Sequence, residues 1–159
     1  MTTQPASAPL LIACALGIES FALRTSDRGG AGGPVTVLRT GMGPEAADVS
    51  TARMLARPDL ADAAVLATGF CAGLAPGMHP GDLVVAEETR DPRGTVPCVG
   101  TERLAKELVR AVPGRPAHTR PPTGSALVEL GQERSDLLAD GAIACAMESP
   151  ASLPHSGEP

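Results

Sequence analysis

Apolar positions in this chain come in short blocks separated by polar, glycine-bearing and proline-bearing stretches. Leu10–Leu16 is continuously apolar, as expected of a strand covered on both faces. Gly17–Ser26 predicts a helix with Glu19 in its first turn, and Asp27–Pro34 a loop. Val35–Thr40 predicts the second strand. Gly41-Met42-Gly43 breaks it, and Pro44 suits the first position of a helix reaching Arg57, with Ala47, Thr51, Met54 and Leu55 on one face. Ala63–Thr68 and Asp82–Glu87 predict the third and fourth strands. Between them lies the turn Gly69-Phe70-Cys71-Ala72-Gly73, whose small residues let a ligand approach the main chain.

The second half alternates in the same way. Thr89–Val99 reads as a Pro/Gly-rich connection, and Thr101 as the cap of a helix through Ala111 that aligns Leu104, Leu108 and Ala111. Val112–Pro122, with its prolines, reads as irregular. Gly124–Leu130 predicts a short strand, Gln132–Ala139 a helix, and Ala142–Met147 a last apolar strand. Strands alternating with helices predict one α/β domain over 10–149, built on a mixed, largely parallel twisted sheet. Residues 1–9 read as a loose start. Residues 150–159, PASLPHSGEP, read as an irregular tail, because three prolines exclude a helix or a central strand.

Composition narrows the chemistry. The chain has 159 residues and is 43% apolar, enough for a core, but it lacks Trp and Tyr and has Phe only at 21 and 70. Stacking platforms for single-stranded nucleic acid use several aromatics. With a net charge of −5 and scattered basic residues, docking on a phosphate backbone is not expected either. Cys14, Cys71, Cys98 and Cys145 are far apart, with no CxxC pair, so buried free thiols in a reducing compartment are expected. No apolar stretch is long enough to span a membrane, and no Lys or Arg precedes Leu10–Leu16 as in a leader. These features together predict a cytoplasmic location. His79, His118 and His155 share no metal-ligand spacing and read as surface residues.

Four motifs occur in order: Ala15-Leu16-Gly17-Ile18-Glu19; Thr40-Gly41-Met42-Gly43-Pro44; Ala67–Leu74 with Gly81–Val85; and Ala146-Met147-Glu148-Ser149. Together they resemble the nucleoside phosphorylase and nucleosidase superfamily, which includes methylthioadenosine/S-adenosylhomocysteine nucleosidase. The wording is most similar to bacterial hopanoid-associated phosphorylase-like proteins. The resemblance covers Leu10 to Ser149 and implies a three-layer α/β fold. It also implies cleavage of the N-glycosidic bond of a purine nucleoside or adenosyl compound, by phosphate or water, with no cofactor beyond phosphate as a possible co-substrate. A homo-oligomer is a further implication.

By the same resemblance Glu19 positions the attacking water, Met147 packs on the sugar, and Glu148 accepts hydrogen bonds from the ribose hydroxyls. Gly43 belongs to an oxygen-binding turn. Gly69, Phe70, Cys71 and Ala72 form the base-side turn, made more apolar by Phe70, and Leu127 and Val128 wall the purine. From the residues alone, other readings stand beside these. Glu19 fits a first-turn acid complementing the helix dipole, Glu148 an exposed acid after a strand, and Leu127 and Val128 ordinary core. Gly41-x-Gly43-x-x-Ala46 also fits a dinucleotide site, although Ala63–Thr68 does not end in the acid such a site uses.

One departure from the family pattern is expected to matter. The family delivers an aspartate from a strand after the Met-Glu pair to protonate the purine. No aspartate follows Asp140 here. Loss of a general acid costs about 10²–10⁴-fold, so an impaired enzyme or a non-catalytic nucleoside-binding remnant is expected. The change of composition at Pro150 points to truncation or an altered reading frame, against the alternative of a natural tail.

Overall fold

The computed structural model describes residues 8–26, 32–91, 94–114, 117–118, 126–128, 134–139 and 141–146. The described residues up to Gly69 form one compact unit and those from Phe70 onward another.

In the first unit, β1 (Leu10–Cys14) lies between β2 (Val35–Arg39) and β3 (Ala64–Ala67), parallel to both. Leu10 stands opposite Val35 on one side and Ala64 on the other. The central position explains the apolar run: Leu11, Ala13 and Cys14 are buried, as in sheets covered on both faces. The ladder continues past the strand ends. Thr40 donates its N–H to the Cys14 carbonyl (2.9 Å) and Thr68 its N–H to the Ala13 carbonyl (2.9 Å). All three strands therefore finish at one edge.

Helix α1 (Gly17–Thr25) follows β1, and the Arg24 guanidinium donates to the Val37 carbonyl of β2 (3.4 Å). Helix α2 (Pro44–Leu55) follows β2, with Pro44 at its first turn, where a missing N–H costs nothing. The face predicted for α2 is the inward one: Ala47 and Thr51 are buried, Met54 and Leu55 half-buried. Ser50 Oγ donates to the Thr40 carbonyl (3.1 Å), tying α2 to the end of β2.

The second unit holds a five-stranded sheet in the order β4 (Ala72–Gly73), β10 (Ala142–Cys145), β9 (Ala126–Val128), β6 (Glu88–Asp91), β7 (Gly94–Pro97). The β10–β9 and β9–β6 pairs are parallel; the outer pairs, β10–β4 and β6–β7, are antiparallel. A separate parallel pair joins β5 (Leu83–Val84) to β8 (Ala117–His118). Strand β10 is buried along its whole length. Ala142 and Cys145 share a small core with Leu74 and with Leu137 of α4 (Arg134–Ala139). Parallel pairs thus dominate a mixed arrangement, as the alternating pattern predicts.

Five expectations need correction. Thr89–Val99 is not a bare connection: β6 and β7 form a hairpin there, with Glu88 opposite Pro97. Pro97 is tolerated because β7 is the outer strand, where an N–H is not required. The fourth strand shrinks from Asp82–Glu87 to Leu83–Val84, and its partner Ala117–His118 lies inside the stretch expected to be irregular. Both pieces are only two residues long, too short for any periodicity to show. Thr101 does not cap α3 (Thr101–Ala111); it is the first helical residue, after a left-handed Gly100. Its hydroxyl donates to the Ala86 (2.9 Å) and Cys98 (3.3 Å) carbonyls, so it tethers the helix rather than capping it. On α3 the buried residue is Ala105, while Ala111 is exposed.

Thr51 is fully buried, and its Oγ1 finds no hydrogen-bond partner among the described residues. A buried hydroxyl left unpaired costs about 1–3 kcal/mol. Val matches Thr in shape and in helix propensity. Thr51→Val is therefore expected to raise the unfolding free energy by about 1 kcal/mol, read from the denaturant midpoint. An unchanged or lowered midpoint would contradict this account.

Candidate functional site

The turns that follow β1, β2 and β3 leave the first unit's sheet at its carboxyl edge. That is where open α/β sheets bind ligands. These turns bring three predicted residues to this edge: Glu19, Gly43 and Gly69.

Glu19 stands at the third position of α1 and is 92% buried, with a relative exposure of 8%. Its Oε2 accepts the backbone N–H of Ala15 (3.1 Å) and of Leu16 (2.9 Å). The carboxylate thus folds back over the start of its own helix and satisfies the amides of the capping residue, Leu16, and of Ala15 before it. Two N–H donors on one carboxylate oxygen are charge-assisted and hold the group in one orientation. On its other side, a methyl group at Gly69 would lie 2.9 Å from Oε1.

Behind Glu19, the Cys14 thiol is buried and donates to the Leu38 carbonyl (3.6 Å). Burial first, and the Glu19 charge second, push this thiol above its ordinary range. The Arg24 and Arg39 guanidiniums and the Ser20 hydroxyl pull the other way. Cys14 is a neutral packing group, not a nucleophile.

Gly43 precedes α2 with φ +88°, a left-handed conformation that favours glycine. It lines an open depression of about 550 Å³ with Met42, Pro44, Glu45, Ala46 and Val49. Pro44 offers no N–H there, and the Ala47 N–H is already used on the Gly43 carbonyl (3.1 Å).

The remaining predicted residues belong to the second unit or lie outside the described residues. Phe70, Cys71 and Ala72 are exposed, Phe70 at 70%. The stretch expected to be a turn is partly strand, because Ala72 pairs antiparallel with Cys145. At Gly73 the backbone approaches Met78 so closely that a Cβ would lie 3.1 Å from the Met78 Cβ. Leu127 and Val128 are the second and last residues of β9, opposite Thr89 and Arg90; their side chains are not described. Met147 and Glu148 lie outside the described residues.

Cys71 corrects the expectation of uniformly buried thiols: it is exposed, Cys98 is half-buried, and Cys14 and Cys145 are buried. Enclosure of the Cys71 sulfur still raises its thiol above the ordinary range, so little thiolate forms near neutrality. Among the described residues no group of three or more His, Cys, Asp or Glu could hold a metal ion, and no helix is long and apolar enough to cross a membrane.

Two outcomes follow. Glu19→Ala leaves the Ala15 and Leu16 amides without their acceptor, and is expected to destabilise the protein by about 1–3 kcal/mol in urea unfolding. In the native protein, iodoacetamide is expected to label Cys71 before Cys14 and Cys145, and only as the pH approaches the raised thiol range. Mass spectrometry of labelled peptides reads the order. Labelling of Cys14 as fast as Cys71 would contradict it.

Comparison with known proteins places the chain. A 74-residue stretch is 38% identical to the 5'-methylthioadenosine/S-adenosylhomocysteine nucleosidase of Haemophilus influenzae (strain PittEE). The match covers 45% of this chain and spans only 31% of that relative. Among solved structures, a nucleosidase of the same name from Neisseria meningitidis, in complex with methylthio-immucillin-A, superposes with a TM-score of 0.74. The sequences are 20% identical, over 91% of this chain and 78% of that one. A futalosine hydrolase mutant of Helicobacter pylori strain 26695 gives 0.68 at 17% identity, over 91% and 80% of the two chains. These likenesses establish a nucleoside-phosphorylase-like α/β fold. Residues 16–149 match the Phosphorylase superfamily as a whole, and the chain belongs to that superfamily.

Proposed function

We propose that this chain cleaves the N-glycosidic bond of a purine nucleoside or adenosyl compound, with water or phosphate as the acceptor of the ribosyl group. The observation that carries the proposal is the Glu19 carboxylate, buried and oriented by two backbone amides at the carboxyl edge of a parallel sheet, in a chain of this superfamily.

Departure of the base leaves a ribosyl cation of oxocarbenium character. A catalyst must stabilise that cation and bring a nucleophile to it. A carboxylate with one oxygen tied to the backbone can orient a water, accept its proton and offer negative charge without reorganising. Glu19 takes that role. Glu148 accepts hydrogen bonds from the two vicinal ribose hydroxyls, and Met147 packs on the sugar. Gly69, Phe70, Cys71 and Ala72, with Leu127 and Val128, form the base and sugar walls, and Gly43 belongs to the oxygen-binding turn. No cofactor is needed. Within the superfamily, the wording of the four motifs together supports a place beside the hopanoid-associated phosphorylase-like proteins. Four free cysteines fit a reducing compartment, so the cytoplasm is the proposed location. Ile18 and Phe21, exposed and three apart on α1, fit a homo-oligomer.

Turnover is proposed to be slow for the 159-residue polypeptide. Chromatographic assay of adenine release from methylthioadenosine, S-adenosylhomocysteine and adenosine tests the reading. Weak release is expected, reduced a further 10²-fold or so by Glu19→Gln, with saturable adenosine binding by calorimetry. Binding without any release would identify a nucleoside-binding remnant instead. Neither binding nor release would overturn the reading altogether.

A further inference from the structure

The glycines at the carboxyl edge of the first unit's sheet are there for different reasons. Gly41 and Gly43 have φ of +88°, and a Cβ at Gly43 would meet nothing within 4 Å. Those two serve backbone conformation. Gly69 is not among the positive-φ glycines, so its backbone suits other residues. What excludes a side chain there is space. A methyl group at position 69 would lie 2.9 Å from Glu19 Oε1, 3.3 Å from Cδ and 3.4 Å from Oε2. It would meet the carboxylate and nothing nearer.

A long side chain often yields to such a contact by swinging aside. Glu19 has little freedom to do so. Its Cα is set by the first turn of α1, its Oε2 by the 2.9 Å and 3.1 Å bonds from Leu16 and Ala15, and the residue is buried. Any retreat from position 69 lengthens or bends those bonds. The contact is a product of topology. β1 and β3 are parallel neighbours, with Ala13 opposite Ala67. The residues that follow them leave the sheet side by side.

We propose that Gly69 is a positioning residue for Glu19: the bare backbone at 69 lets Oε2 stay on the Ala15 and Leu16 amides while Oε1 keeps one direction at the sheet edge. The role in turnover rests on the reading of Glu19 as the group that orients the nucleophile. It differs from the wall that the base-side turn provides, because it acts through the carboxylate and not on the substrate.

Amide spectra and hydrogen exchange of ¹⁵N-labelled protein test the proposal, comparing wild type, Gly69→Ala, Glu19→Ala and the double variant. Gly69→Ala is expected to shift the Ala15 and Leu16 amides as Glu19→Ala does, and to speed their exchange about tenfold, as loss of one hydrogen bond would. The thermal midpoint of the double variant should match that of Glu19→Ala alone, because neighbours sharing one contact are not additive. In the base-release assay kcat should fall about tenfold while KM stays within about twofold, since the added methyl group meets the Glu19 carboxylate. Unmoved Ala15 and Leu16 amides, additive midpoints, or a wild-type kcat in Gly69→Ala would overturn the proposal. If Gly69→Ala fails to fold, the double variant decides: a folded double variant upholds the conflict with Glu19, and an unfolded one overturns it. If wild type releases no base, the function proposed above fails separately, and the amide and midpoint readouts still decide whether Gly69 positions Glu19.

Discussion

Strand β1 hydrogen-bonds to β2 on one side and β3 on the other, both in parallel register, and the site's first three residues depend on that pairing. Parallel neighbours end at the same edge, so the segments after them emerge together. Had β1 and β3 been antiparallel, Glu19 and Gly69 would have left the sheet at opposite ends. The pairing also explains why Leu11, Ala13 and Cys14 are buried, and why a core with few aromatics suffices. Small aliphatics fill the flat space between a sheet and its covering helices.

At that edge, one carboxylate has two tasks. Glu19 closes the start of α1 by accepting two backbone N–H groups, and the same bonds restrict its remaining freedom. A group oriented in this way is preorganised for chemistry, because nothing has to reorder when charge develops nearby. Under the proposed function, changes at Glu19 act on stability and on reactivity together. This is why the experiments that separate the two read individual amides and not activity alone. Surface ion pairs, such as Lys106 with Glu102 along α3, contribute little beside this.

Much of the fold was legible in the sequence wherever an element was long enough to show its period. The first three strands and the helices α1, α2 and α3 lie within a few residues of where apolar runs, Pro44 and the glycine breaks put them. Illegible were the elements made by pairing and not by pattern. Ala72–Gly73 and Ala117–His118 are strands only because Cys145 and Val84 lie beside them. The hairpin of β6 and β7 hid behind its proline and glycine, which mark turns in sequence but are harmless on an outer strand. Thr101 had the right chemistry for a cap, yet its hydroxyl found nearer carbonyls at Ala86 and Cys98. Cys71 looked like a core thiol by its neighbours and is exposed.

For the site, the sequence alone determined the inventory. It established a first-turn glutamate after an apolar strand, a glycine turn before Pro44, and a small-residue turn after the third strand, because local spacing and residue type suffice for each. Only the tertiary structure decided how Glu19 is used. Whether a first-turn acid faces solvent or folds back onto its own amides depends on what the neighbouring strand places beside it. At position 69 that strand places a residue without a side chain, close to the carboxylate. That proximity joins residues fifty apart in the chain, and no local pattern in the sequence encodes it.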